Sequence, residues 1–191
     1  MGMFVQSLYN VINTIFMGQF VDSLAIAALS LVFPIQMITW GISQMVGMGG
    51  SSVISRYIGA GNIKGAERAI GNGISASIIL GIVITIIVLP FSEFWLRLIG
   101  TDDAVMVYAK PYLMIVMAGT VFNIFAMALL SYVRAEGNTR VGMIAMVMGA
   151  VLSIILDAIF VIPLHMGVVG AALATVIAQI ASMIYIFSFY L

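Results

Sequence analysis

Between Asp22 and Arg56 the chain carries no charged residue, and the same holds between Arg68 and Glu93, between Lys110 and Arg134, and everywhere beyond Asp157. A helix crossing the hydrocarbon core of a bilayer needs about 20 apolar residues, and these runs supply them. In lipid every backbone polar group must be satisfied within the protein, so only helices and closed barrels span the core. The runs show no strand-like alternation of apolar and polar residues and are read as helices. Composition agrees: 63% of the residues are hydrophobic and 7% are charged, against roughly 45–50% and 25% in a soluble domain, which leaves too little polar surface to wrap a core in water. Seven basic and seven acidic residues cancel and form no basic patch, which argues against nucleic acid as a partner. With no cysteine and one histidine, His165, there is no thiol nucleophile, no disulfide framework and no His/Cys metal site.

The expected fold is an all-α integral membrane protein, one six-helix transmembrane lobe over 1–191, with spans at 2–18, 24–57, 68–89, 102–133, 142–162 and 167–191. Several spans in succession exclude a secretory signal ahead of a soluble domain. Asp22 or Ser23 caps the second span, and Gly59, Gly61, Asn62 and Gly65 break the chain after it. Pro90 stops the third. Thr101, Asp102 and Asp103 place a cap and two acids at the positive end of the fourth helix dipole. Gly137 and Asn138 end the fourth span and Pro163 the fifth. Pro34 and Pro111 lie inside spans and are expected to kink them. The 2–18 span covers roughly 25 Å, short of the hydrocarbon core, so further residues are expected upstream.

Basic residues in short loops orient the spans. Arg56, Lys64 and Arg68 flank one turn and Arg134 and Arg140 another; both turns, and with them both termini, are expected in the cytoplasm of a cell-membrane protein. The opposite connections hold most of the acids, and Phe91, Phe94 and Trp95 suit an interfacial aromatic belt. A shift of 76 residues lays Gly61–Asn62 on Gly137–Asn138, Gly73 on Gly149 and the SIIL run from Ser77 on the SIIL run from Ser153, the trace of an internal repeat. The next position differs: Gly81 stands opposite Asp157.

Asp157 is the ionisable group inside an apolar stretch, SIILDAIFVI. A charge at such depth costs about 2.5 kcal/mol or more unless it faces a cavity or a partner, so a proton, a bound monovalent cation or a cationic substrate is its natural counterpart. Helical rise puts Asp157 and Asn13 at one level, with Thr175 slightly deeper and Ser153 one turn further on the face of Asp157. Four such oxygen donors suit a proton with water or a hard monovalent cation. No other metal or cofactor is expected. Tyr9, Asn10, Gln36, Asn123 and Gln179 are polar residues within spans and are candidates for lining a substrate cavity. Small residues recur every four positions from Gly167 and Gly170, giving the last span a smooth packing face. The stretch GAGNIKG is no phosphate loop, since no GK[ST] follows and no strand precedes it.

Four segments resemble one family. YNVINTIFMGQFVDSLAIAALSLVFPI (9–35), SSVISRYIGAGN (51–62), VRAEGNTR (133–140) and ILDAIFVIPLHMGVVGAALATVIAQ (155–179) are similar, in order, to the multidrug and toxic compound extrusion (MATE) transporters. The resemblance implies one lobe, the first, of a two-lobed, twelve-helix antiporter that exports organic cations or amphipathic drugs in exchange for protons or sodium ions. It implies a second lobe as partner, from a homodimer or a C-terminal half, and makes Asp157 the coupling carboxylate. Two positions depart from the family pattern: Asn13 stands where many members have aspartate, and Ser153 where many have asparagine. A single carboxylate leaves the coupling ion open. The alternatives are a lipid-linked oligosaccharide flippase of the same superfamily, for which no basic cavity residues are evident, and a truncated, non-transporting half-lobe. Without HExxH, GxSxG or a second intramembrane acid, an enzyme is not expected.

Overall fold

The computed structural model describes residues 23–161 and 166–190. The described residues form seven helices: α1 (Ser23–Gly59), α2 (Ile63–Val88), α3 (Ser92–Leu98), α4 (Asp103–Ala118), α5 (Thr120–Ala135), α6 (Thr139–Val161) and α7 (Gly167–Phe187). Four of them, α1, α2, α6 and α7, are long and apolar enough to cross a membrane, and α4 and α5, bent by 49° at their junction, are so when taken together. These are the second to sixth spans expected from the sequence. The span at 2–18 lies outside the described residues, as do Asp22, Pro163 and His165.

Three features depart from the expected spans. The helix α2 starts at Ile63 rather than Arg68, because Asn62 caps it: its Oδ1 accepts the Gly65 amide at 2.9 Å, and Gly61 takes the positive φ that ends the preceding helix. The short helix α3 fills the connection after Pro90, where no helix was expected. The fourth span is broken, and the break falls at Gly119 rather than at Pro111, which lies within α4. Pro34 likewise sits inside α1, which runs on past it. At the break the Thr85 hydroxyl of α2 shares its one proton between the Gly81 carbonyl of its own helix at 2.9 Å and the Met117 carbonyl near the end of α4 at 3.1 Å. Bare glycines let the neighbours in: a Cβ on Gly81 would lie 2.7 Å from Val121 Cα, and one on Gly119 would lie 2.5 Å from a methyl of Val176. The bend is therefore made where α2 and α7 close on the start of α5.

The helix α5 sits at the centre, packing on α1, α2, α6 and α7, while α6 lies mainly along α7 and α4 bridges α1 and α7. At one end Ala25, Ala28 and Val32 of α1 close on Leu113 and Met117 of α4 and on Ala171 of α7. At the other, Leu129 and Val133 of α5 meet Ala145 and Ile186. Lipid offers no hydrophobic drive for this association, so close van der Waals packing through small residues carries it. Large aliphatic side chains such as Ile79 and Ile86, 60% and 64% exposed, face outward.

The repeat seen in the sequence recurs in the backbone. The bonds Ala60 N to Arg56 O, Gly61 N to Ile58 O and Asn62 N to Tyr57 O close the end of α1, and Glu136 N to Tyr132 O, Gly137 N to Arg134 O and Asn138 N to Val133 O close the end of α5. Both are Schellman turns, in which a glycine at positive φ, 70° at Gly61 and 89° at Gly137, lets the last carbonyls be capped.

At the end opposite these turns Glu93 accepts from Arg97 at 3.3 Å and from Lys110 at 3.0 Å, and Arg97 reaches Asp103 at 3.1 Å. The network ties α3 to α4. Lys110 first and Arg97 second hold the Glu93 carboxyl below its usual range. A depressed acid stabilises the fold above its unfolded pKa and loses that contribution as pH falls through the folded one. Amide exchange in α3 is therefore expected to quicken below about pH 4, and to quicken with added salt, since the pairs are exposed.

Candidate ion-coupling site and cavity

The helix α6 presents Ser153 and Asp157 one turn apart, both turned into the bundle, 3% and 2% exposed. Neither Ser153 Oγ nor Asp157 Oδ1 has a hydrogen-bond partner among the described residues. A buried acceptor left so costs about 1–3 kcal/mol. Ser77, the counterpart of Ser153 in the repeat, instead donates to its own helix, to Ile74 O at 2.7 Å. Two neighbouring buried oxygens on one helix face, neither paired among the described residues, thus set α6 apart from α2.

Beside them lies a cavity of about 140 Å³ between α5, α6 and α7. Asn123 and Met127 of α5, Ser153 of α6, and Thr175, Gln179 and Ser182 of α7 line it. Space for it comes from Gly149, where a Cβ would overlap the Ser182 hydroxyl. Thr175 Oγ1 donates to Ala171 O at 3.0 Å and Ser182 Oγ to Ala145 O at 3.3 Å.

Of the residues expected at the site, Ser153 and Thr175 share this cavity and Asp157 lies one turn along α6 from Ser153. Asn123 and Gln179 also line it. Gln36 does not: its Nε2 donates to Tyr112 Oη on α4 at 3.5 Å, a contact that spacing within α1 could not reveal. Tyr9, Asn10 and Asn13 lie outside the described residues. Ser182 was missed, although it continues the face of Thr175 and Gln179 at helical spacing. Among the described residues no cluster of His, Cys, Asp and Glu could hold a metal ion.

This fold and this site can be set against known proteins. The sequence pattern of the MatE family matches residues 1–159. The chain belongs to the MATE family. Its members are transporters, not enzymes, and the chain is a multi-pass integral membrane protein. It is 33% identical over 189 residues to the multidrug export protein MepA of Staphylococcus haemolyticus, covering 98% of this chain and 42% of MepA. The structure superposes on the outward-facing conformation of a multidrug resistance MATE family transporter of the MOP superfamily with a TM-score of 0.95 and 34% identity, over 99% of this chain and 42% of that one. Against the inward-facing conformation of a multidrug resistance MATE family transporter the TM-score is 0.92 at 33% identity, over 97% and 42%. The chain thus spans 42% of the length of these relatives and matches one of their lobes, roughly the N-terminal one.

Proposed function

We propose that this lobe supplies the ion-coupling site of a multidrug antiporter, which exports organic cations or amphipathic drugs in exchange for protons or sodium ions. One observation carries the reading: Asp157, buried and with Oδ1 unpartnered among the described residues, lies one turn along α6 from the wall of a cavity edged by Ser153 and Thr175. An acid so placed binds a proton or monovalent cation in one state and exchanges it for a cationic substrate in the other, because a buried charge needs a partner at all times. The partner is a second lobe, from another copy or from a C-terminal half, since rocking of two lobes about a shared site requires both. The close match of this lobe to both outward- and inward-facing relatives supports its moving as a unit. A lipid-linked pyrophosphate would call for basic side chains, and none lines this cavity.

Liposomes holding the completed two-lobed transporter, with a fluorescent organic cation and an imposed ion gradient, test the reading. Gradient-dependent uptake of the dye is expected; its absence under both proton and sodium gradients would leave a non-transporting lobe. Asn13→Asp, adding a second acid at the level expected for Asp157, should steepen the dependence on sodium or pH.

The membrane orientation belongs to the same proposal. In the cysteine-free background, an impermeant thiol reagent should label Ala60→Cys and Glu136→Cys from the cytoplasm and Asp102→Cys from outside, all three positions being exposed. Labelling of Glu136→Cys from outside would reverse the assignment.

A further inference from the structure

A second concavity lies away from the Asp157 site, at the end of the bundle that carries the Schellman turns. It is a groove of about 850 Å³ between α1 and α2, a volume in the range of small-molecule sites. Lys64 and Arg68 border it, four residues apart and hence on one face of α2, with Asn72 on the next turn. Neither cation has an ion-pair partner among the described residues, and no acidic side chain is among those lining the groove. Like charges at this spacing repel, a cost that a bound anion would relieve. Below the basic rim the walls turn apolar, with Met45 and Val53 of α1 facing Ala76 of α2. The floor is Tyr132 of α5, admitted because Gly50 and Gly73 have no side chain to meet it, and its Oη donates to Val46 O at 3.4 Å.

We propose that this groove binds an anionic phospholipid, its phosphate between Lys64 and Arg68 and the upper part of its acyl chains along Met45 and Val53. Charge complementarity decides the headgroup and the apolar walls decide for a lipid over a free anion. Basic pockets between membrane helices near the bilayer surface hold acidic headgroups in this way.

Native mass spectrometry of the purified chain, titrated with phosphatidylglycerol or phosphatidylcholine, tests the assignment. Phosphatidylglycerol should stay bound where phosphatidylcholine dissociates, and excess inorganic phosphate should not displace it. Lys64→Gln with Arg68→Gln should weaken phosphatidylglycerol about 25-fold, from roughly fivefold per basic residue. Arg140→Gln, outside the groove, should leave it unchanged. Gly49→Leu keeps both charges and fills the space, because nothing lies within 4 Å of a Cβ there; it should weaken retention as well. A photoreactive analogue in place of Met45, a wall residue of the groove, in the two-lobed transporter should add the mass of a lipid. Equal binding of the two lipids, an equal loss with Arg140→Gln, unaltered binding by the double variant or by Gly49→Leu, displacement by phosphate, or cross-linking to a second lobe in place of lipid would each overturn the proposal.

Discussion

Asp157→Asn is expected to reduce ion-driven efflux by the two-lobed transporter to background while the lobe still inserts and folds. Asparagine keeps the shape of the side chain and its ability to hydrogen bond, but it neither titrates nor carries a charge. Exchange of an ion for a cationic drug at this point then has no means to proceed. The comparison that isolates the effect is Ser153→Ala, which removes a neighbouring oxygen and leaves the carboxylate. Its loss should be partial, and larger for the ion that needs more oxygen ligands, sodium, than for a proton. Full gradient-driven efflux by Asp157→Asn would leave Asp157 as a structural acid.

The second large effect concerns the bend between α4 and α5. Gly81→Leu should destabilise the lobe by about 1–3 kcal/mol, the usual range for overpacking, because its Cβ would meet the backbone of Val121 at 2.7 Å and backbone cannot swing aside. Gly71→Leu on the same helix has open space around it and exchanges glycine for a better helix former, so its thermal midpoint in detergent should be unchanged or higher. Equal midpoints for the two variants would show that the α2–α5 approach does not hold the bend. In the repeat Gly81 is the counterpart of Asp157. One copy closes its helix face on a neighbour at this register, and the other places an acid there.

How much of this could be read beforehand follows from the kind of signal involved. Charge-free runs bounded by glycine, asparagine and proline are local features, and they located the second to sixth spans. The chain breaks around Gly61 and Gly137 were legible for the same reason, though not that both are Schellman turns. The break at Gly119 was not, because Pro111 offers the stronger local signal while the bend depends on Thr85, Gly81 and Val176 arriving from other helices. The seven residues of α3 are too few to show a period, and they are held by ion pairs reaching Asp103 and Lys110. At the site, Ser153, Asp157, Thr175, Asn123 and Gln179 stood out as polar residues in apolar surroundings. Gln36 stood out equally, yet it is engaged with Tyr112 on α4, and no spacing within one helix reports a partner on another.

The central claim, that the α6 carboxylate exchanges an ion for substrate, is tested most directly by ion release on binding. The two-lobed transporter in detergent, lightly buffered and monitored with proton and sodium electrodes, would be titrated with an organic cation. The account predicts that one of the two ions is released as the cation binds and that Asp157→Asn abolishes the release. Binding of the cation with release undiminished in Asp157→Asn would contradict it.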